Sequence, residues 1–266
     1  MPKNSKHNID QRRVAMLELL AKNGEMRLGV LAQAVGYSSM TTRRDLWYLE
    51  QNQLVQLSSG GRVSLRDSIR LDADIHNRKN TSRHEKIAIA TLAATLVSER
   101  DVIGLDASTS TLELSYQLAS RQNLTIITNN LLIPPVLGSS KGINLYCAGG
   151  RMRAKALSTV GEIAEHTINQ FNYTKVFLSA NALDASAGLT DTDTAEIQTK
   201  QAFMRNSSTV VVLADSSKVG KNALQKCRPV GKIDILVTDE KATAAELDAL
   251  RSKGAKVMVA PPGGGW

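Results

Sequence analysis

Seven short apolar runs, most of them separated by stretches of helical periodicity, restrict the fold of this chain more than any other feature. They lie at 102–106, 124–129, 144–148, 175–180, 209–214, 234–239 and 256–260. Between them, apolar residues recur at helical spacing over 87–97, 111–119, 160–171, 196–205 and 243–252. A strand that is apolar along its whole length must be covered on both faces. Strands separated by helix-length segments pair in parallel, with the helices as the covers. Residues 82–260 are therefore predicted to form a mostly parallel α/β domain.

A different pattern precedes it. Val14, Leu17 and Leu20 mark a first short helix before Gly24, and Leu28, Leu31, Ala32 and Val35 a second, closed by Gly36. Ser38 is placed to cap a third helix running to about Gln51, with Thr42, Leu46 and Leu49 facing inward. Leu54 to Leu57 and Arg62 to Leu65 then read as two strands around Ser58-Ser59-Gly60-Gly61. Residues 8–65 are thus expected to be a separate domain with three helices and a β wing. The polar segment 66–81 reads as a linker and 261–266, Pro-Pro-Gly-Gly-Gly-Trp, as a loose tail. A chain of 266 residues suits two such domains.

Charge narrows the partners. The formal net charge is +8, and residues 1–65 carry nine Lys/Arg against five Asp/Glu, which is +4 in about a quarter of the chain. A concentration of positive charge on a small helical module points to a polyanion. The two cysteines, Cys147 and Cys227, and the four histidines show no metal-ligand spacing and no disulfide framework, so neither a metal site nor a cofactor is expected. The first ten residues lack the apolar core of a signal peptide, and no apolar run is long enough to span a bilayer. No membrane partner is expected, and the expected location is the cytoplasm, with the nucleoid as the place of work.

A helix that reads a major groove needs one face locked to its own domain and another presenting donors. In the third helix Ser39, Thr41, Arg43, Arg44 and Tyr48 are left outward or at the flanks, and Arg62 lies on the wing. Arg43 and Arg44 suit guanine edges or phosphates, while Ser39 and Thr41 suit a helix N-terminus facing phosphate. Thr42 is counted with this group as well as with the inward stripe. The competing reading is an ordinary solvated helix, with Asp45 as the natural partner for one of the arginines.

These residues resemble the DeoR family of sugar-metabolism regulators. The resemblance runs through Met16 to Leu20, Leu31-Ala32, Val35 to Ser38, Thr41-Thr42-Arg43-Arg44-Asp45-Leu46, Leu49-Glu50 and Gly60-Gly61. Thr42 stands where the family has Ile or Val, and Ser59 where it often has His. The likeness continues in order through Glu85-Lys86, the Asp106 loop, Thr128-Asn129-Asn130, Gly149-Gly150 with Arg153, Gly188-Leu189-Thr190 and Asp215-Ser216-Ser217-Lys218. It implies a winged helix-turn-helix on double-stranded operator DNA and a C-terminal domain similar to ribose-5-phosphate isomerase that binds a phosphorylated sugar. It also implies effector-binding roles for Gly150, Arg153 and Lys200.

The residues support part of this directly. Ala107-Ser108-Thr109-Ser110-Thr111 is a hydroxyl-rich turn between a strand and a helix, and free amides there form an anion cradle. Lys218 follows another strand and supplies a cation, while Asp106, Asn129 and Asp184 offer acceptors for sugar hydroxyls. The bland readings are a helix cap at 108–111, a solvated Lys218 and a turn residue at Asp184. Ser108 and Ala182 replace family glycines, and a side chain at 108 is expected to narrow the approach of phosphate.

Two other classes stand beside the regulator. One is an isomerase with an appended DNA-binding domain. Aldose–ketose isomerisation needs a carboxylate base, and Lys200 falls near the place of the glutamate in the isomerases resembled, so no catalysis is expected. The other is a DNA-binding protein without a ligand. Engagement of two half-sites predicts a homo-oligomer, dimer or tetramer, held by the C-terminal domain.

Overall fold

The structure, a computed structural model, describes residues 3–66 and 77–262, with side chains from residue 9 onward. The chain divides into two compact units, Met1–Arg78 and Lys79–Trp266. Residues 67–76 of the expected linker and 263–266 of the expected tail lie outside the described residues. Residues 77–80 are helical rather than linker-like.

The first unit contains α1 (Lys3–Asn23), β1 (Met26–Arg27), α2 (Leu28–Val35), α3 (Ser39–Gln51), β2 (Val55–Ser58) and β3 (Arg62–Leu65). The three strands form an antiparallel sheet in the order β1-β3-β2. Helix α1 begins well before the 8–65 boundary read from the sequence. A single core holds the unit together: Met16 and Leu20 of α1, Leu31 of α2, Leu46 and Leu49 of α3, and Val55, Val63 and Leu65 of the wing. Gly36 ends α2 in the left-handed conformation at φ 73°, which suits a glycine. Ser38 caps α3 by accepting the Thr41 amide at 3.2 Å, as its position before the helix predicts.

The second unit is built on a seven-stranded parallel sheet. Its strands are β4 (Val102–Leu105), β5 (Leu124–Thr128), β6 (Ile143–Cys147), β9 (Lys175–Ser179), β12 (Val210–Leu213), β14 (Ile235–Asp239) and β15 (Lys256–Ala260). They run in the order β15-β14-β12-β9-β4-β5-β6. Successive side chains along a strand serve opposite faces. Val176 and Leu178 enter one core while Phe177 enters the other, and Val210 and Val212 separate likewise from Val211 and Leu213. One face is covered by α4 (Arg83–Ala94), α5 (Thr109–Leu118) and α6 (Pro134–Leu137), the other by α7 (Glu162–Asn169), α8 (Thr194–Arg205) and α9 (Ala244–Ser252). Gly104 at the centre of the sheet has a packing reason. A Cβ there would stand 2.7 Å from Cδ1 of Phe203 and 2.9 Å from Cγ1 of Val176.

Two small antiparallel pieces interrupt the alternation. One is the hairpin of β7 (Arg151–Arg153) and β8 (Ser158–Val160). The other is a three-stranded sheet of β10 (Ala182–Asp184), β11 (Gly188–Asp191) and β13 (Gln225–Arg228), in the order β10-β11-β13. Val160, expected to begin a helix, instead ends β8.

Candidate functional site

In the first unit the decisive contact is made by Asp45. Its carboxylate, almost fully buried, takes hydrogen bonds from Nε of both Arg12 and Arg13 on α1, the latter at 3.1 Å. The pairing with Arg43 or Arg44 that the competing reading supposed therefore does not form. Both arginines are exposed on α3 and have no ion pair among the described residues. Arg13 also lies over the Tyr48 ring at 3.6 Å and Arg12 over the Tyr37 ring at 4.7 Å. The orientation of α3 is fixed from α1, which leaves its outer face unencumbered.

The remaining DNA-side residues divide. Ser39 is exposed, and the half-buried Thr41 shares its hydroxyl with Ser38 Oγ at 3.0 Å. Thr42 is fully buried and its hydroxyl has no partner, so it belongs to the inward stripe and not to the reading face. Arg62 is paired with Glu25 at 2.7 Å and is not a free cation on the wing. Sequence reasoning missed Arg12 and Arg13 as the brace. It also missed Met40 and Trp47, large apolar side chains 78% and 60% exposed on α3.

In the second unit the hydroxyl-rich turn lies where β4 gives way to α5. Ser108 sits at φ −145°, extended backbone open to any residue, so the absent glycine strains nothing. Its Oγ accepts the Thr111 amide at 3.0 Å and meets Thr111 Oγ1 at 2.9 Å. Thr111 Oγ1 in turn donates to the Asp106 carbonyl at 2.7 Å, and Asn130 Nδ2 donates to the Ser108 carbonyl at 3.0 Å. The cap reading is correct for Ser108 and Thr111. It leaves the Thr109 and Ser110 amides and hydroxyls without partners among the described residues, at the positive end of a ten-residue helix.

Beside that turn is a buried charged cluster. Asp106 Oδ2 accepts the Ser179 amide and hydroxyl, each at 2.8 Å, and stands 3.8 Å from Lys200 Nζ. Lys200, on α8, donates to Asp191 Oδ2 at 2.8 Å. Burial alone would lower the Lys200 pKa, but Asp106 and Asp191 more than offset it and the ammonium is held charged. Burial likewise opposes the charge on Asp191, and Lys200 reverses the balance and lowers its pKa. One turn earlier, Glu196 accepts from Arg153 and, at 2.6 Å, from Ser158, while Arg153 also bonds Asp193 at 2.8 Å. Burial raises the Glu196 pKa.

Two acceptors in this region are buried and unsatisfied: Asp106 Oδ1 and Asn129 Oδ1. The register pairs Leu105 with Thr128, so Asp106 and Asn129 follow side by side at the carboxyl ends of adjacent strands. Asn129 Nδ2 is already used by the Thr159 carbonyl at 2.9 Å. Orphaned buried acceptors are costly, and they mark a place where a donor belongs.

The other expected effector residues fall elsewhere. Asp184 uses Oδ1 in its own turn, accepting the Ser186 amide at 2.8 Å, the Ser186 hydroxyl at 2.5 Å and the Ala187 amide at 3.0 Å. The turn reading holds for that oxygen. Gly150 is at φ 133°, and a Cβ there would meet the Val160 carbonyl at 2.8 Å, so its glycine serves the hairpin. Arg153 and Lys200 are committed to carboxylates and order the site rather than offering free charge. Lys218 is half-buried on the turn after β12, a strand that lies two positions from β4, or on the order of 10 Å across the sheet. Among the described residues no group of His, Cys, Asp and Glu is placed to hold a metal, and no helix is long and apolar enough to cross a membrane.

Comparison with known proteins accounts for both units. A family profile described as the DeoR-like helix-turn-helix domain matches residues 12–67, and one described as the DeoR C terminal sensor domain matches residues 81–240. Transcriptional repressor AccR of Agrobacterium fabrum is 34% identical over 88% of this chain and 90% of its own length. The glycerol-3-phosphate regulon repressor of Escherichia coli is 29% identical over 86% of this chain and 90% of its own. Among solved structures, ribose 5-phosphate isomerase A of Methanocaldococcus jannaschii is similar with a TM-score of 0.40 and 18% identity, over 53% of this chain and 56% of that one.

Proposed function

The chain belongs to the DeoR family of transcriptional regulators, and from that premise we propose that it represses carbohydrate-metabolism genes under the control of a phosphorylated sugar. Operator DNA meets the outer face of α3, where Arg43 and Arg44 are free to bond guanine edges or phosphates. The effector occupies the carboxyl ends of β4 and β5. Its phosphate takes the open Thr109 and Ser110 amides and hydroxyls, and its hydroxyls donate to Asp106 Oδ1 and Asn129 Oδ1. Lys218 contributes long-range countercharge. Two named relatives are repressors, and one carries glycerol 3-phosphate in its name, which agrees with this ligand class.

The observation that carries the reading is the pair of buried, unpartnered acceptors beside a helix N-terminus whose first two amides are unused. Capping by Ser108 withdraws the third amide, so the ligand is held by fewer backbone donors than a glycine at 108 would leave. Turnover is not part of the proposal. Near the place of the isomerase glutamate, Lys200 is held between two carboxylates and Glu196 is engaged by Arg153 and Ser158, so neither offers a free carboxylate base. No cofactor is required, and the place of action is the cytoplasm, on the nucleoid.

Thermal unfolding of the full chain with ribose 5-phosphate, glycerol 3-phosphate and inorganic phosphate tests the ligand. A phosphorylated sugar at a hundred times its Kd stabilises the native state by about 2.7 kcal/mol and raises the melting temperature. No shift with any phosphorylated sugar in a broad panel would sink the proposal in favour of a ligand-free regulator. The working form is a homo-oligomer, dimer or tetramer. Sedimentation of the full chain at micromolar concentration decides that point, a monomer counting against it.

A further inference from the structure

The outer face of α3 is not only basic. Met40 and Trp47 are seven residues apart, two helical turns, and so lie on almost one line along the helix about 10.5 Å apart. Arg43 and Arg44 fall between them, on either side of that line. Thr42, Leu46 and Leu49 are buried on the opposite side. Met40 and Trp47 are respectively 78% and 60% exposed, the two most exposed large apolar side chains described in the first unit. A single exposed apolar residue is ordinary. Two of them aligned with two unpaired guanidiniums form a surface that is apolar at its ends and cationic in its middle.

That chemistry has a counterpart in a duplex. The major groove displays guanine O6 and N7 to arginine, and the thymine 5-methyl is the apolar group it offers to a side chain. Bases rise by about 3.4 Å each, so 10.5 Å along the helix covers about three base-pair steps. We propose that Met40 and Trp47 read thymine methyl groups on either side of the guanine contacts of Arg43 and Arg44. Each half-site then carries two thymines about three steps apart with guanine between them. The two free cations on the face favour DNA over a second copy of the chain as its occupant, since pairing two such faces would oppose like charges. The inference rests on α3 being the DNA-reading element, and the experiment separates the two claims.

The full-length protein is first used to select binding duplexes from a random pool, and affinities are then measured by fluorescence anisotropy at one salt concentration. Deoxyuridine in place of thymidine removes only the methyl group. For the wild type, the substitution at each of the two thymines weakens binding about fourfold, the transfer free energy of one apolar carbon. Trp47→Ala abolishes the penalty at one thymine and Met40→Ala at the other, with the guanine preference retained. Both side chains are exposed, so unchanged thermal unfolding shows that the variants are folded. In a Trp266→Phe background Trp47 is the sole tryptophan, and its emission changes when duplex is added.

Several results overturn the inference. Selected sites without thymines at that spacing would do so. Uridine penalties equal in wild type and variants would also do so, as would a Trp47 emission change driven by protein concentration without DNA, the mark of a self-contact. If binding also survives Arg43→Ala combined with Arg44→Ala, α3 is not the reading element. If it depends on the arginines but not on the methyls, only the apolar readout fails.

Discussion

Lys200 is a buried ammonium between two buried carboxylates, and it makes the Asp106 loop possible. Without it Asp191 and Asp106 would face each other's charge in a largely buried place. Lys200→Met is therefore expected to cost about 3–5 kcal/mol, the usual loss when one partner of a buried pair is removed. The pH dependence should also change sign. In the wild type the Asp191 pKa is lowered, so its contribution is present at neutral pH and is lost only as pH falls through that lowered value. In the variant, burial without countercharge raises the Asp191 pKa above its unfolded value. Stability of the variant then increases as pH is taken from 7.5 to 4.5, while this term is flat in the wild type. Melting temperatures across that range measure the contrast, and parallel curves would remove Lys200 as the source of charge balance. The sequence marked Lys200 and Arg153 through family likeness alone, and Asp106 also by its place after a strand. The pairing logic was hidden because Asp191 and Ser179 come from two other strands, β11 and β9.

The parallel sheet was legible at the level of elements. All seven apolar runs became its seven strands, since burial on both faces leaves a continuous hydrophobic signature. The β7–β8 hairpin and the β10-β11-β13 sheet were not legible. Their strands have three or four residues, too few for a period of two to stand out. The brace between α1 and α3 was missed for a related reason. Asp45 lies next to Arg43 and Arg44 in sequence, but helix geometry turns it toward Arg12 and Arg13. At this scale Gly104 is a close joint between sheet and α8. Gly104→Ala is expected to destabilise by about 1–3 kcal/mol through overpacking against Phe203. Phe203→Leu in the same chain should recover part of that loss, because it withdraws the ring atoms that a Cβ meets. Calorimetry of the two single variants and the double variant gives the coupling, and strict additivity would show that Phe203 is not the obstacle.

For the whole molecule, one unit carries a cationic helix face aimed outward and the other carries a turn with unused donors and acceptors. A regulator needs these two to share free energy. Linkage requires that an effector which changes operator affinity by some factor has its own affinity changed by the same factor when operator binds. The most direct measurement is a titration of phosphorylated sugars, including ribose 5-phosphate and glycerol 3-phosphate, into a preformed complex of the full-length protein and a selected duplex at fixed salt. Fluorescence anisotropy reads the occupancy. At least one phosphorylated sugar is expected to shift the DNA dissociation constant fivefold or more, about 1 kcal/mol of coupling, while inorganic phosphate and the unphosphorylated sugar leave it in place. Superimposable DNA-binding curves with every sugar phosphate that binds the protein would contradict the account.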